Sequence, residues 1–273
     1  MSREIAILCS RSDPASQNIA SCLNRLAEWD AGNGSFLSSG PFCLVTADQE
    51  LTRMVNLEDV LSDIGLHPEL LVFASRHRAQ KPVPWLGGHF TGILEEGGTF
   101  EFSRPAPAYL KAFLESVQGF LPAGFSFSAE ATHHGPTDLS IPSLFVEIGS
   151  AEEQWQIAQA GEAVARSILA LSKNPDPEPV LLGLGGGHYV PQQTDLMLNT
   201  AVSFGHMFSK YQCDQLDTEA LEEASSLSKA TMAYLDRKSL GSAERNRLIS
   251  ILESLEIPTL RSREIRERYP RAP

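Results

Sequence analysis

The chain has 273 residues, of which 42% are hydrophobic and 21% are charged, and its formal net charge is −12. This composition is typical of a globular protein with a substantial core, and the acidic balance argues against the broad basic face that nonspecific nucleic-acid binding requires. No apolar run approaches the roughly 18 residues that span a bilayer, and the first apolar stretch is too short for a secretory leader, so we expect a cytoplasmic protein without a membrane partner.

The cysteines give no sign of a disulfide or zinc-ribbon framework. Cys9, Cys22, Cys43 and Cys213 are scattered and form no CxxC pair, which indicates a reducing compartment. Cys9 and Cys43 lie in apolar, strand-like runs, and we predict that both belong to the core.

The N-terminal part of the chain alternates strands with helices. Residues 5–9 predict a buried strand, and Asp13 followed by Pro14 predicts the start of a helix, because Asp caps a helix and Pro suits its first position. Residues 42–46 predict another strand. The strand–loop–helix beginning is typical of an α/β fold.

The next predicted strand, residues 70–74, ends in cationic groups. The sequence Ser75-Arg76-His77-Arg78 follows it directly, and ligands of open α/β sheets bind at the carboxyl ends of strands. Residues 81–108 are rich in Pro and Gly and predict an irregular or β-rich excursion from the main sheet. His89 lies in a predicted loop within that excursion.

The centre of the chain has the densest set of chemically active residues. Residues 125–131 and 143–148 predict two strands, joined by a Gly- and Pro-containing loop. His133 and His134 precede the loop, and Glu147 lies in the second strand. Two imidazoles and a carboxylate near strand ends suit zinc ligation or acid–base chemistry. The structural alternative is that each His is a core residue and that Glu147 pairs with a neighbouring cation.

A second cluster follows the long central helix. Ser150 and Glu153 form a capping-box pattern that predicts the start of this helix. Residues 180–184 predict a strand, and it runs into Gly185-Gly186-Gly187-His188-Tyr189. The glycines allow a close approach of the backbone to a ligand and direct His188 from a strand end. A dinucleotide fingerprint does not fit, because it requires Gly at position 188 and a long helix where Pro191 stands.

The C-terminal part continues the α/β pattern. Residues 201–204 predict a strand with His206 at its end, and residues 214–235 and 242–255 predict two helices before a basic tail. No repeat or linker divides the chain. We therefore predict one three-layer α/β/α catalytic domain over residues 1–273, with a central mixed sheet.

The motifs favour hydrolysis assisted by a metal ion or by acid–base groups. The chain has no H-E-x-x-H helix, no G-x-S-x-G elbow and no P-loop, which disfavours a serine hydrolase or a kinase. Zinc held by His and Glu would lower the pKa of a bound water to about 7 and supply hydroxide at neutral pH.

Three motifs, in this order, resemble the archaeal and plant type of D-aminoacyl-tRNA deacylase, also known as D-tyrosyl-tRNA deacylase. They are Thr132-His133-His134-Gly135-Pro136-Thr137, then Phe145-Val146-Glu147-Ile148-Gly149-Ser150 with Trp155, then Gly185-Gly186-Gly187-His188-Tyr189-Val190-Pro191. Supporting stretches are Ser75-Arg76-His77-Arg78, Phe204-Gly205-His206 with Lys210-Tyr211, and Asp236-Arg237-Lys238. The similarity covers nearly the whole chain. One departure is His89-Phe90-Thr91-Gly92-Ile93, where the family commonly has His-Thr-Pro-Gly-Asn.

The resemblance implies a phosphorylase/peptidyl-tRNA-hydrolase type of α/β fold and hydrolysis of the ester that joins a D-amino acid to the 3′-terminal ribose of tRNA. It implies one or two zinc ions, and an oxyanion stabilised by metal or by N–H groups of the glycine loop. The acidic charge balance indicates that only the acceptor end of the tRNA is bound, and we expect a monomer. The implied catalytic residues are His133, His134, Glu147 and His188. The implied metal ligands are these four with His89. The implied substrate contacts are Arg76, His77, Thr137, Gly185, Gly186, Gly187, Tyr189, His206, Lys210 and Lys238.

Two alternatives belong to other functional classes. A zinc-dependent peptidase or amidase on a related α/β fold would use the same His and Glu residues on peptide substrates. A non-catalytic RNA- or nucleotide-binding protein would bind tRNA without turnover and without a metal ion. Neither alternative accounts for all three motifs together.

Overall fold

The computed structural model describes residues 4–31, 34–94, 98–172, 175 and 178–271. Its strands are β1 Ile5–Ser10, β2 Asp30–Ala31, β3 Leu37–Ser39, β4 Phe42–Ala47, β5 Leu70–Arg76, β6 Trp85–His89, β7 Gly92–Leu94, β8 Phe100–Phe102, β9 Ser126–Ala129, β10 Ser143–Gly149, β11 Val180–Leu184, β12 Ser203–Phe208, β13 Met232–Leu235 and β14 Thr259–Leu260. Its helices are α1 Pro14–Leu26, α2 Leu57–Asp63, α3 Pro107–Gln118, α4 Glu152–Trp155, α5 Ala158–Ala170, α6 Pro191–Asn199, α7 Thr218–Ser228, α8 Ser242–Ser254 and α9 Ser262–Arg268, with 3₁₀ turns at Leu51–Arg53 and Cys213–Gln215. The α/β class is confirmed.

The chain divides into two compact units. The first unit comprises residues 1–88, 112–127 and 138–175, and the second comprises residues 89–111, 128–137 and 176–273. Neither unit is a continuous segment, because the chain enters and leaves each of them more than once. One catalytic domain over the whole chain stays a prediction. No helix of the described part of the chain is long and apolar enough to cross a membrane.

The first unit is built on a mixed sheet with the strand order β2-β3-β4-β1-β5-β10-β6-β9. β1 lies between β4 and β5 and is parallel to both, and β10 is parallel to β5. β3 is antiparallel to β4, which makes the sheet mixed, as predicted. The last residues of β6 and β9 pass into the second unit.

Helices cover both faces of the first unit's sheet. One face is an apolar cluster in which Ala6, Leu8 and Phe73 of the strands pack against Leu57 and Leu61 of α2. Side chains of a strand alternate between faces, and α1 and α5 pack together against the other face. Asp13 caps α1 as predicted, accepting hydrogen bonds from two backbone N–H groups of the first turn. This gives the three layers expected from the sequence.

The second unit has a parallel sheet in the order β12-β11-β13-β14. Its core joins Leu182 and Leu184 of β11 to Leu221 of α7 and Leu248 of α8. The antiparallel β7–β8 hairpin contributes buried aromatic rings from Phe100 and Phe102 to the same core. The excursion predicted for residues 81–108 is therefore only partly separate from the main sheet, since β6 belongs to that sheet. Residues 95–97 of the predicted excursion lie outside the described residues.

Several predicted elements were wrong. Ser150 does not cap a helix, because its hydroxyl donates to the backbone carbonyl of Val83, and the long helix begins later, at Ala158. A nine-residue helix does follow the glycine run, with Pro191 at its first position. Residues 214–235 are not one helix: α7 ends at Ser228, and β13 follows as a strand paired with β11. The cysteines predicted to be core, Cys9 and Cys43, are buried.

Candidate active site

The backbone of the His133–His134 segment in the second unit is held by hydrogen bonds to distant parts of the chain. Ahead of it, the N–H of Ala131 donates to the carbonyl of His188 at 2.8 Å, and the N–H of Thr132 donates to the carbonyl of Met207 at 2.6 Å. The carbonyl of His134 accepts from the N–H of Gly92 at 2.9 Å. The two imidazoles therefore start from a fixed main chain.

Three imidazoles form a compact cluster in the second unit, and we call it the histidine triad. Its members are His89, at the end of β6, with His133 and His134. The ring centroid of His89 lies 4.0 Å from that of His133 and 4.7 Å from that of His134, and the latter two are 4.5 Å apart. One ring nitrogen from each lies within 4.8 Å of the other two, a spacing that allows a shared ligand.

The hydrogen bonds of the triad determine which nitrogen of each ring carries the proton. The Nδ1 atoms of His89, His133 and His134 lie 3.0, 2.8 and 2.7 Å from backbone carbonyl oxygens. A carbonyl oxygen can only accept, so each Nδ1 is the protonated nitrogen. In the neutral ring Nε2 then carries the lone pair, as in metal-binding histidines oriented by a carbonyl.

The triad fits the donor set of a zinc site. Three neutral imidazoles are the ligands of one common type of catalytic zinc, which leaves the fourth position for water or substrate. Imidazole also suits other divalent transition metals. The three residues therefore satisfy the chemistry of a zinc ion without requiring a thiolate.

Glu130 joins His188 to this cluster. It is completely buried directly after β9, and its Oε2 lies 3.3 Å from Nε2 of His188 and 3.6 Å from Nε2 of His133. The rings of His133 and His188 are 4.7 Å apart. The side chains of His133 and His188 are 29% and 40% exposed, so a substrate can reach the imidazoles while the carboxylate stays behind them.

Glu130 was not among the predicted site residues, and the carboxylate predicted for the site was Glu147. A signal was available, since Glu130 stands at the end of a predicted strand and three residues before His133. Of the predicted metal ligands, His89, His133, His134 and His188 meet in the second unit. Glu147 belongs to the first unit, and its metal-binding and catalytic roles stay predictions.

In the first unit, Glu147 is part of a buried polar group. The hydroxyl of Ser75 donates to its Oε1 at 2.6 Å, and Nδ1 of His77 lies 3.4 Å from its Oε2. Nε1 of Trp155 donates to the carbonyl of His77 at 2.9 Å. Glu147 and Ser75 are paired residues of the neighbouring strands β10 and β5, which explains their contact.

The backbone N–H groups of Gly185 and Gly186 already donate hydrogen bonds within the protein. The N–H of Gly185 donates to the carbonyl of Phe208, and the N–H of Gly186 donates to the hydroxyl of Ser239 at 2.7 Å. Both glycines have φ near +90°, a conformation that disfavours other residues. Since these N–H groups are already used, neither can serve the predicted oxyanion role, and Gly187 is the exposed member of the run.

His206 supports the active-site loop from within the core. It lies inside β12 rather than at a strand end, and it is completely buried. Nε2 donates to the carbonyl of Ser103 at 3.0 Å, and Nδ1 lies 3.1 Å from the hydroxyl of Thr132. Burial lowers the pKa of His206 to about 3, so the ring is neutral and accepts from that hydroxyl. His206 therefore fixes the position of Thr132, the residue before His133, through this hydrogen bond. Because His206 is completely buried, it could contact a substrate only if the core opened.

The other predicted substrate contacts lie at several places on the second unit. The hydroxyl of Thr137 donates to Glu101 at 2.9 Å, and the ammonium of Lys210 lies 5.0 Å from the ring centroid of exposed Tyr211. The ring of Tyr189 lies 5.3 Å from that of His188. Tyr189 therefore adjoins the cluster, whereas the contact roles of Thr137, Lys210 and Lys238 stay predictions.

Comparison with known proteins gives one consistent family. A family model described as D-aminoacyl-tRNA deacylase matches residues 64–260. Proteins with that name from Methanothrix thermoacetophila and Methanosarcina acetivorans are 53% and 40% identical, over 96% and 98% of this chain and 98% and 95% of their own. A solved structure of a conserved protein of unknown function has a TM-score of 0.90 and 30% identity, with 99% of each chain covered.

Proposed function

The chain belongs to the D-aminoacyl-tRNA deacylase family, and we propose that it hydrolyses the ester of D-aminoacyl-tRNA with the histidine triad, His188 and Glu130. The reaction releases a free D-amino acid and reusable tRNA, as a proofreading step. The family match over most of the chain carries this conclusion. It gives no support to the alternative of a zinc-dependent peptidase or amidase.

The geometry of the site suits ester hydrolysis. Water must add to the aminoacyl carbonyl carbon while a proton reaches the ribose oxygen, whose bond to that carbon breaks. His188 is the more exposed imidazole beside Glu130, and we assign it to protonate the leaving ribose oxygen. The Glu130 carboxylate, whose Oε2 lies 3.3 Å from Nε2 of His188, orients that ring.

We also propose that the Nε2 atoms of His89, His133 and His134 hold one zinc ion. Such an ion supplies Lewis acidity and a water whose pKa is about 7. The residues of the chain orient the lone pairs, through the three Nδ1–H donors to backbone carbonyls. Glu130 adds a negative charge beside His133, which favours a cation at the triad.

The partner, tRNA, follows from the family match. The oligomeric state and the location in the cell are further parts of the proposal. The substrate is a tRNA whose acceptor end carries the D-amino acid. We further propose that the protein acts as a monomer in the cytoplasm, where aminoacyl-tRNA is made and used. Sedimentation of the purified protein with and without tRNA measures whether it is a monomer.

The test compares D-tyrosyl-tRNA with L-tyrosyl-tRNA as substrates, before and after treatment with a chelator. We expect loss of the D-ester only, abolished by chelation and restored by zinc. Loss of the D-ester that survives chelation would refute the zinc proposal and leave catalysis to the histidines. Stability of both esters would refute the deacylase proposal.

Variants test the residues separately. Glu130→Gln and His133→Ala should each lower kcat about 100-fold or more, because the first changes the carboxylate beside the acid His188 and the second removes a ligand of the proposed zinc ion. Exposed residues of the same types provide the controls Glu253→Gln and His67→Ala, which should retain the activity of the parent protein. Full activity of either site variant would remove that residue from the mechanism.

A further inference from the structure

A cavity of about 210 Å³ lies in the first unit, at the carboxyl ends of β1 and β5. Six of its seven lining residues are polar or charged, and the seventh is Leu51. The lining combines two carboxylates, two guanidinium groups and two hydroxyls, from Asp13, Glu50, Arg76, Arg78, Thr52 and Ser75. Such a mixture can bind a ligand that carries both an anionic group and hydroxyl donors.

The cavity coincides with the point where the order of the strands reverses. From β1 the chain passes through α1 to β4 on one side, and then through α2 to β5 on the other side. These two helices pack on opposite faces of the sheet. Open α/β sheets bind ligands in the crevice at such a switch point, beyond the carboxyl ends of the strands. Topology and cavity therefore indicate the same place independently.

The polar groups at this cavity are held in position before any ligand arrives. Asp13 is only 6% exposed, and its Oδ2 accepts from the N–H of Arg76 at 2.9 Å. The guanidinium of Arg76 donates to Glu50 at 2.8 Å. The guanidinium carbons of Arg76 and Arg78 lie 5.7 and 5.4 Å from the ring centroid of the buried Trp155. A cation over an indole face is attracted to it, which orients both side chains.

Arg78 is the cation available for an incoming anion. It is exposed, and none of the described carboxylates forms a salt bridge with it. Arg76 is already paired with Glu50, whose side chain is 41% exposed. A planar guanidinium recognises phosphate through two parallel hydrogen bonds. A carboxylate at such a crevice accepts from ribose hydroxyls.

We propose that this cavity binds the ribose-phosphate of one nucleotide from the single-stranded acceptor end of tRNA. Arg78, with Arg76, binds the phosphate, and Glu50 accepts from the ribose hydroxyls. The cavity is smaller than the roughly 300–1,000 Å³ of a pocket for a drug-sized ligand, so the base remains outside. The proposal rests on the proposed function only in naming tRNA as the source of the nucleotide, since free adenosine monophosphate presents the same chemistry.

The first experiment measures binding of uncharged tRNA and deacylation of D-tyrosyl-tRNA by Arg78→Ala. We expect Kd and KM to rise about tenfold, with a much smaller change in kcat, because one charge-assisted contact is lost. The slope of log affinity against log salt should become shallower by about 0.7, the value for one phosphate of a single strand. Arg263→Ala in α9, where the side chain is 87% exposed, removes the same charge and should change neither quantity.

The second experiment separates the two sources of nucleotide. The parent protein should bind adenosine monophosphate more tightly than its 2′-deoxy form, and Glu50→Gln should lose that preference. If Arg78→Ala weakened the binding of adenosine monophosphate but left the Kd for tRNA unchanged, the acceptor-end assignment would be overturned. If Arg78→Ala affected neither ligand, the cavity would not be a nucleotide site. Uncharged tRNA reports binding without turnover, so failure of the deacylase proposal would be seen separately.

Discussion

Mild acid should destabilise the second unit through one residue, His206. Burial lowers its pKa from 6.5 to about 3, so the folded protein keeps the ring neutral while the unfolded chain takes up a proton below pH 6.5. The stabilising contribution is complete above pH 6.5 and is lost as the pH falls towards 3. Each pH unit in this window corresponds to about 1.4 kcal/mol. Acidification from pH 7 to 5 should therefore lower the free energy of unfolding by about 2 kcal/mol.

The assay is urea unfolding followed by far-ultraviolet circular dichroism at pH 7 and pH 5. His206→Asn should be less stable than the parent at pH 7 by about 1–3 kcal/mol, because the Ser103 carbonyl or the Thr132 hydroxyl loses its partner. Between the two pH values it should lose about 2 kcal/mol less than the parent. The control His67→Asn changes an exposed histidine and should follow the parent. Equal pH dependence of His206→Asn and the parent would refute the reasoning.

Other expected outcomes concern packing, a buried ion pair and thiol reactivity. Gly185→Ala would place a Cβ 2.6 Å from a serine hydroxyl at φ +90°, and should lower the free energy of unfolding by about 1–3 kcal/mol, measured by urea unfolding. Lys111→Met removes the donor at 2.6 Å from Glu178 and should cost about 3 kcal/mol in the same assay, because it leaves a carboxylate only 21% exposed without its cation. Burial raises the pKa of the Cys9 and Cys213 thiols to about 12, so mass spectrometry should find neither alkylated at about pH 8 unless the protein is first unfolded. Rapid modification of the folded protein would contradict this burial.

The elements that the sequence predicted best were those with a local signal. Apolar runs located β1, β5, β10 and β11 within two residues, and the Asp13-Pro14 pair located the start of α1. Ser242–Ser254 was also predicted, within one residue. In each case the pattern of a single segment was enough, because strand and helix periodicities differ.

The failures depended on contacts between distant segments. Met232–Leu235 has residues that suit a helix, and it becomes a strand because β11 offers backbone partners. Glu130 was not predicted, because its approach to both His133 and His188 depends on folding rather than on spacing along the chain. The roles of Glu147 stay predictions. His206 was predicted at a strand end, and its burial came from a strand that continues two residues further.

The histidine triad has a consequence for how freely its surroundings can change during evolution. Each Nδ1 is satisfied by a carbonyl within two residues along the chain, from Phe90, Ala131 or Gly135. The main chain itself therefore fixes the Nδ1 side of each ring, and with it the direction of the lone pair on Nε2. The length of the main chain is the constraint: one residue inserted or deleted between residues 130 and 135 would redirect two imidazoles at once.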